Sequence, residues 1–414
     1  MSSEVGSRPL RRRRAVQVNR GLDARTPGIS ARTRRSVYDC ISAWGPVTKG
    51  ELAAAAGISL PTATKYLAHL KEHGLIAEGE KLAASVQGGR SPATYCRVAD
   101  GRLAVGVDVT DDHLSVVIVN LEGEVTHVRE VERPFENSEE YATFVAQLIL
   151  EILDEVGAAE SQIHGVGVAV PGLVNEDEQR VTYGRVIDNT GMTAEHFGRH
   201  LPFAVRLVHD SDAAGLAEFW TGYDVHNAFY LSISNSIGGS VLINDTIYRG
   251  DGEFAGEVGH LNVELGGRQC YCGQRGCLDA YCNANVLRSA GGGLGKFFTR
   301  LRSGDVEMKK VWEAYCTKLA LAIQCVRLLY GCTVIIGGEV SAFIGDQIED
   351  VRRTVDELDP LPGTASDYLT RSRYTTKPIA TGAGLYIVDG FKDALGPASG
   401  GGAPTTAHAP GYRR

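Results

Sequence analysis

The sequence contains no apolar run of about 18 residues, the length that a membrane-spanning helix requires. The early arginines are not followed by an apolar stretch, so we expect no secretory signal peptide. Nine cysteines in a chain that is not exported indicate the reducing cytoplasm, where clustered thiols usually hold a metal. The hydrophobic content of 43% excludes an intrinsically disordered chain. We therefore expect a cytoplasmic globular protein without a membrane partner.

Positive charge is scarce in the whole chain, and the net charge of −8 argues against a nucleic-acid partner. The distribution of charge reverses that argument. Residues 1–100 carry 16 Lys and Arg against 8 Asp and Glu, whereas residues 101–414 carry 26 against 42. A basic head on an acidic body predicts two modules, of which the head binds a polyanion. The 414 residues suffice for about two to three domains of ordinary size.

Both ends of the chain lack hydrophobic periodicity. Residues 1–30 include the run Arg11-Arg12-Arg13-Arg14 and are predicted to form a flexible basic arm, with a solvated tail of no function as the alternative. Residues 396–414 are rich in Gly, Ala and Pro, a composition that predicts a disordered tail.

Residues 31–100 have the pattern of a small helical domain. Apolar residues first recur at helical spacing, from Val37 to Trp44. Thr48 and Glu51 then form a capping-box pattern at the start of a short helix. A longer helix begins at Ser59, and two strands follow around the loop 87–92. Three helices and a two-stranded hairpin predict a winged helix-turn-helix.

The second helix of such a domain places its first side chains at base edges in the major groove of double-stranded DNA. We therefore predict DNA contacts from the polar start of this helix and from the tip of the wing. The predicted contacts are Ser59, Thr62, Thr64, Lys65 and Arg90. A small helical module that binds protein is the alternative.

Residues 101–395 alternate between strand-like and helix-like segments in two rounds, with glycine-rich turns between them. The run Gly165–Val170, for example, is typical of a buried strand that enters a tight turn at Pro171-Gly172. This pattern predicts a two-lobed α/β fold with a cleft between the lobes.

One segment has the spacing of a metal site. Cys270, Cys272 and Cys277 follow His260, and three thiolates with one imidazole make a closed tetrahedral zinc set. Gly273 and the glycine before Cys277 allow the backbone to turn around one ion. A closed set leaves no position for water, so the predicted Zn²⁺ is structural. Buried free thiols are the alternative.

Several segments together resemble the ROK family of repressors, open reading frames and sugar kinases. They are the runs Glu257–His260 and Cys270–Asp279, the run Gly165–Val174, the run His209–Glu218, and Val334–Gly338. The resemblance covers roughly residues 103–392. A winged helix-turn-helix ahead of it matches the family's transcription-regulator branch.

The resemblance implies an actin-like ATPase fold of the ROK and hexokinase type, with a sugar in the cleft. Asp210 corresponds to the family's general base, and Glu257, His260 and Asp279 match ligands of sugar hydroxyls. His260 is then also a zinc ligand. His209 stands where the family commonly has Asn, which alters hydroxyl recognition. Asn189, between the first two cleft segments, is a further predicted contact. A structural helix cap at Asp210 and a solvated turn at Glu257 are the alternatives.

The two phosphate loops depart from the pattern of the family's kinases. Asp108-Val-Thr-Asp111-Asp112 replaces a loop that usually reads DxGGT, so that two carboxylates stand where phosphates would lie. Ser234-Asn-Ser236-Ile-Gly238-Gly239 has lost the first two glycines of GTGIGGG. Close approach of backbone N–H groups to phosphate needs such glycines. We predict a sugar sensor in which Asp210 is a vestigial base and phosphoryl transfer is lost.

These observations predict a DNA-binding regulator, a repressor of carbohydrate genes, that binds a carbohydrate effector and forms a homodimer or homotetramer. An active ATP-dependent sugar kinase with a regulatory head is one alternative. A DNA-binding scaffold with a vestigial cleft is another.

Overall fold

The computed structural model of the protein describes residues 17–18, 37–38, 40–41, 45–81, 92–175, 177, 179–220, 225–358 and 361–394. Contacts divide the chain into two compact units, which we call the head (within Asp23–Val98) and the body (mainly Ala99–Asp389). Strand β1 (Gln17–Val18) belongs to the body, although it lies in the segment predicted to be a flexible arm. The rest of that arm, Arg90 and the predicted tail 396–414 lie outside the described residues. No helix in the described ranges is long and apolar enough to cross a membrane.

The head contains a short helix, a tight turn and a longer helix, followed by a hairpin. Its elements are β2 (Val47–Thr48), α1 (Lys49–Ala55), α2 (Leu60–Glu72), β3 (Ile76–Lys81) and β4 (Ala93–Arg97). The three strands form an antiparallel sheet in the order β2-β4-β3. Of the preceding helix, residues 37–38 and 40–41 are described and helical, and Val37, Tyr38 and Ile41 are buried. This is the described part of a winged helix-turn-helix.

Capping side chains determine where the two head helices begin. Thr48 accepts from the backbone N–H of Glu51, and the Glu51 carboxylate accepts from the N–H of Thr48, which confirms the predicted capping box. Ser59 Oγ accepts from the N–H of Thr62 at the start of α2. Gly57 between the helices has a φ of 63°, a conformation that glycine adopts without strain.

The first lobe of the body is a five-stranded sheet with helices on it. Its elements are β5 (Leu103–Val109), β6 (His113–Asn120), β7 (Val125–Glu132), α3 (Glu139–Glu155), β8 (Ile163–Val170), β9 (Leu173–Asn175), β10 (Arg180–Tyr183), α4 (Ala194–Gly198), β11 (Val205–His209) and α5 (Asp210–Trp220). The strand order is β11-β8-β5-β6-β7. The first three strands along the chain are antiparallel, and β8 and β11 run parallel to β5.

The second lobe repeats this arrangement. Its elements are β12 (Ala228–Ile233), β13 (Ile237–Ile243), β14 (Thr246–Tyr248), α6 (Asp279–Cys282), α7 (Ala284–Gly291), α8 (Leu294–Arg302), α9 (Val306–Tyr330), β15 (Thr333–Gly337), α10 (Gly338–Ile344), α11 (Ile348–Leu358), α12 (Ala365–Tyr368) and β16 (Leu369–Arg371). The last helix of the body, α13 (Pro378–Ala394), returns to the first lobe. The strand order is β1-β14-β13-β12-β15-β16. Apart from β1, it has the order of the first lobe.

Glycines in the first sheet let α13 pack closely against it. A Cβ on Gly106 would lie 1.9 Å from the carbonyl oxygen of Ala380, and one on Gly167 would lie 2.1 Å from that of Ala383. Such contacts exclude any other residue at these positions. Each lobe has its own buried apolar cluster, and the repeated sheets confirm the predicted two-lobed actin-like ATPase fold.

Candidate ligand cleft and metal centre

A pocket in the body lies at the carboxyl ends of the parallel strands β8 and β11. Ligand sites of open α/β sheets lie outside such strand ends. Residues of both lobes line the pocket: 171–173, Tyr183, Arg185, Val186 and 209–211 from the first, and 236–238, Glu257, His260 and Tyr271 from the second. Four predicted site residues, His209, Asp210, Glu257 and His260, therefore meet in one pocket.

Asp210 is the first residue of α5 and directly follows β11. Its Oδ1 accepts from the backbone N–H of Ser211 at 2.6 Å and from the Ser211 hydroxyl at 3.1 Å. The carboxylate thus has a structural role at the helix start while it also lines the pocket. The two readings of Asp210, helix cap and ligand-facing group, are compatible in this geometry.

His209 connects the two carboxylates of the pocket. Its Nε2 lies 3.2 Å from Asp210 Oδ1 and 3.8 Å from Glu257 Oε1. Burial lowers the pKa of His209, but the carboxylates of Asp210, Asp212 and Glu257 outweigh burial, and the net pKa is raised. Burial also raises the pKa of Glu257, against the opposing effect of the two neighbouring histidines. The pocket therefore contains hydrogen-bond donors and acceptors whose charges strongly affect one another's pKa values.

The four predicted metal ligands lie together. One ligand atom from each of His260, Cys270, Cys272 and Cys277 lies within 4.8 Å of the others. The Sγ atoms of Cys272 and Cys277 are 3.7 Å apart, and Cys270 Sγ is 3.9 Å from His260 Nδ1. A tetrahedral zinc ion with Zn–S bonds near 2.3 Å needs sulfur atoms about 3.8 Å apart. The cluster therefore has the donors and the spacing that a tetrahedral metal ion requires.

The backbone turns around this cluster at two glycines. Gly273 has a φ of 95° and Gly276 a φ of 91°. A Cβ on Gly276 would also lie 1.9 Å from the carbonyl oxygen of Glu264. Both glycines are thus needed to bring three sulfur atoms and one imidazole to a common point.

His260 belongs to the cluster and to the pocket at once. Its Nδ1 faces Cys270, while its Nε2 lies 3.9 Å from Glu257 Oε2 and 3.4 Å from the hydroxyl of Tyr271. A metal on Nδ1 would orient the ring and leave Nε2 directed at the pocket. Tyr271, the residue between two of the cysteines, is a pocket residue that the spacing argument missed, because the spacing identifies only metal ligands.

Asp279 and Asn189 do not belong to the residues that line the pocket, although both contact its wall. Asp279 is buried, and its Oδ2 accepts from the N–H of Ile237 at 2.6 Å. Asn189 is fully buried and donates to the carbonyl oxygen of Pro171 at 3.0 Å. Each side chain thus hydrogen-bonds the backbone of a pocket residue without lining the pocket itself.

The first phosphate-loop segment connects β5 to β6. Burial and the nearby Asp210 carboxylate raise the pKa of Asp108 to about 7. Asp112 accepts from His113 Nδ1 at 2.6 Å, which lowers the pKa of Asp112. The Asp111 side chain accepts from Asn235 Nδ2 at 3.4 Å, so this segment contacts the second loop.

The second loop keeps only those glycines that packing requires. A Cβ on Gly238 would lie 2.0 Å from Ser211 Oγ, and one on Gly239 would lie 2.5 Å from the ring of Phe229. The residues at the lost glycine positions lie before these two, and the N–H of Ser234 donates to the carbonyl oxygen of Ser236 at 3.0 Å. The loop is thus hydrogen-bonded to itself.

A polar network continues from the second loop. Arg288 Nη1 donates to Asn235 Oδ1 at 2.8 Å, and Arg288 forms an ion pair with Glu339 at the start of α10. The N–H of Glu339 donates to Ser234 Oγ at 3.2 Å. With Asp111, these residues bridge the two loops. Arg288 and Glu339 were missed by sequence reasoning because they lie far apart along the chain.

The predicted DNA contacts of the head lie on the first turns of α2. Ser59 and Lys65 are exposed, and the Thr62 hydroxyl bonds to Ser59 Oγ at 2.8 Å. Thr64 is exposed, although its hydroxyl donates to the carbonyl oxygen of Leu60. Arg90 lies outside the described residues.

The sequence between residues 104 and 365 matches the model of the ROK family, which is well over half of the chain. The chain belongs to the ROK family. Among curated ROK relatives, the xylose repressor of Bacillus subtilis (strain 168) is 27% identical over 248 residues, or 58% of this chain and 63% of the repressor. The match thus spans less than two thirds of that relative.

Solved ROK structures share the fold. A ROK family transcriptional regulator, a homolog of the Escherichia coli MLC protein, matches with a TM-score of 0.74 at 20% identity, covering 89% of this chain and 98% of that one. A ROK hexokinase from Thermus thermophilus matches with a TM-score of 0.57 at 23% identity, covering 70% and 99%. At this identity the similarity establishes the fold of the body.

Proposed function

We propose that this ROK-family chain is a transcriptional repressor whose DNA binding responds to a small carbohydrate. The observation that carries the proposal is a contrast within the body. The polar pocket around Asp210 keeps acidic and imidazole groups directed at a common space, whereas the two phosphate loops are hydrogen-bonded to each other. The name of the Bacillus relative, a xylose repressor, supports a sugar as effector and operator DNA as partner.

The sugar would occupy the pocket between the lobes. Carboxylates accept from sugar hydroxyls, and the imidazoles of His209 and His260 supply donors and acceptors. We infer that Asp210, Glu257, His209 and His260 contact the hydroxyls directly. Asp279 and Asn189 would act indirectly by positioning the pocket wall, since each hydrogen-bonds the backbone of a pocket residue. This replaces the direct contacts that sequence reasoning predicted for these two residues.

We propose that the His260 cluster holds a structural Zn²⁺. Three thiolates and one imidazole close the coordination shell, so the ion would have no open position for water. It would fix the segment that carries Tyr271 and the His260 ring. Folding of this segment and sugar binding would therefore depend on the same ion.

We further propose that phosphoryl transfer is lost. A nucleotide would bring its phosphates close to Asp111 and Asp112, and a pair of like charges 4 Å apart costs up to about 4 kcal/mol in a surface-like dielectric. Asp210 would then accept a hydrogen bond from a sugar hydroxyl without acting as a general base.

In the head, Ser59, Thr62, Thr64 and Lys65 lie where a recognition helix meets bases and phosphates. Helix-turn-helix proteins bind paired half-sites as dimers, so we propose a homodimer or a homotetramer. We also propose that the protein is cytoplasmic, where its nine cysteines would stay reduced.

The test is a fluorescence-anisotropy titration of operator DNA, selected by genome-wide binding of the purified protein, against a panel of pentoses, hexoses and amino sugars. We expect one sugar to change DNA affinity, at a coupling typical of allosteric proteins, about 5- to 150-fold. Asp210→Asn should bind DNA normally and lose the sugar response, whereas Lys65→Ala should bind sugar and lose DNA affinity. No response to any sugar would contradict the proposal.

A coupled ADP-release assay on the same panel separates repressor from kinase. We expect no turnover above background with any sugar. Turnover that disappears in Asp210→Asn would identify an active kinase.

A further inference from the structure

The last turn of α2 in the head carries two histidines and a glutamate on one face. His69, Glu72 and His73 stand at positions i, i+3 and i+4 of the helix, which are neighbours on its surface. Residues 69–73 read H-x-x-E-H, and helical zinc sites of the H-E-x-x-H and H-x-x-E-H types are built from two imidazoles at this i, i+4 spacing. This cluster lies in a different unit from the His260 cluster.

The three side chains converge on one point. One ligand atom from each lies within 4.8 Å of the others, and the two imidazole centroids are 4.2 Å apart. Tetrahedral coordination of Zn²⁺ by nitrogen and oxygen needs donor atoms about 3.3 Å apart. Glu72 is exposed, so its long side chain can rotate toward that spacing without moving the helix.

The His73 ring is already oriented for coordination. Its Nδ1 lies 2.8 Å from the carbonyl oxygen of His69, and since a carbonyl only accepts, Nδ1 carries the proton. In the neutral ring the lone pair is then on Nε2. A ligating histidine is commonly held by this kind of hydrogen bond from its other nitrogen to a backbone carbonyl.

We propose that His69, Glu72 and His73 form a second metal site that binds Zn²⁺ or a similar borderline divalent ion. Two imidazoles and one carboxylate suit Zn²⁺ and leave a fourth position for water. Glu72 and His73 are exposed, which favours reversible binding over peptide hydrolysis. An ion there would hold the end of the helix whose first turn carries Ser59 and Thr62. This inference is independent of the proposed repressor function.

The experiment is metal analysis of the full-length protein by mass spectrometry after equilibrium dialysis against buffered zinc chloride. We expect two zinc ions per chain in the wild type and one in His69→Gln/His73→Gln. His226→Gln is the matched control, because His226 is an exposed histidine paired with Asp245 in the body, and it should keep two ions. Circular dichroism checks that each variant is folded.

A reciprocal variant keeps the test decisive if the double variant does not fold. Cys272→Ser should lose the ion of the His260 cluster and keep the ion at His69, Glu72 and His73. A further Glu72→Gln substitution should weaken the binding of that remaining ion. The inference is overturned if the folded double variant holds as many ions as the saturated wild type.

Discussion

Replacing Asp108 with asparagine is expected to stabilise the protein much more in mild alkali than in mild acid. The carboxyl stands at the end of β5 among groups of both signs. Burial, Asp210 and Glu130 favour its neutral form, and His113 and Lys377 oppose them. The resulting pKa of about 7, against 3.8 ordinarily, means that the folded protein binds this proton more tightly than the unfolded chain does.

The sign and size follow from that difference. Below pH 3.8 the carboxyl is protonated in both states, and stability then falls as pH rises toward about 7, where the folded state also ionises. About three pKa units correspond to about 4 kcal/mol. Between about pH 5 and about pH 8 the expected loss is about 2.5 kcal/mol. This is an upper limit, since Asp108 keeps some contact with solvent. Asparagine at this position does not ionise, so the stability of the variant should not fall with pH for this reason.

Urea unfolding of the wild type and Asp108→Asn at both pH values measures how the free energy of unfolding changes with pH in each protein. Hydrogen bonds that the substitution changes affect both pH values equally, so their effect cancels when the two pH values are compared. Asp112→Asn is the matched control. The hydrogen bond from His113 lowers the pKa of Asp112 from its ordinary 3.8, so this contribution is complete at both pH values and the asparagine variant should lose similar stability at each. If Asp108→Asn shifts the free energy of unfolding equally at both pH values, Asp108 is ionised at neutral pH. The prediction of a raised pKa for Asp108 would then be wrong.

Three further predictions concern the metal cluster, the second loop and the head. Cys272→Ser should lose one bound zinc ion, several kcal/mol of body stability and all sugar binding. Metal analysis, thermal unfolding and calorimetry measure these three losses. Sugar affinity that is retained without zinc would show that sugar binding does not depend on the ion. Gly238→Ala should cost about 1–3 kcal/mol, because its Cβ would lie 2.0 Å from Ser211 Oγ, and Ser211→Ala should restore part of that loss. An additive double variant would show that the two side chains do not meet. Lys65→Ala should reduce the salt dependence of DNA binding by about one phosphate contact, and an unchanged slope would remove Lys65 from the interface.

Most of the body's elements were predictable because local patterns determine them. The buried strand before Pro171 and the long helix that ends at Tyr330 were both visible from their apolar residues and glycine turns. Likewise, the spacing of cysteines identified a cluster whose members meet within 4.8 Å, because glycines and short separations leave the chain few ways to fold there. The helices 284–302 were not predicted, since their burial depends on partners far along the chain.

The sequence by itself determined the basic head, the acidic body and the ligand types, since charge, capping residues and donor atoms are properties of residues. Only the tertiary structure decided which of those residues share a surface. It directs Asp279 to the N–H of Ile237, and it joins Asp111 to Arg288 and Glu339 through Asn235. It also shows why Gly238 must be glycine: a Cβ there would lie 2.0 Å from Ser211 Oγ. Contacts between distant segments arise from the packing of whole lobes, which short-range spacing does not record.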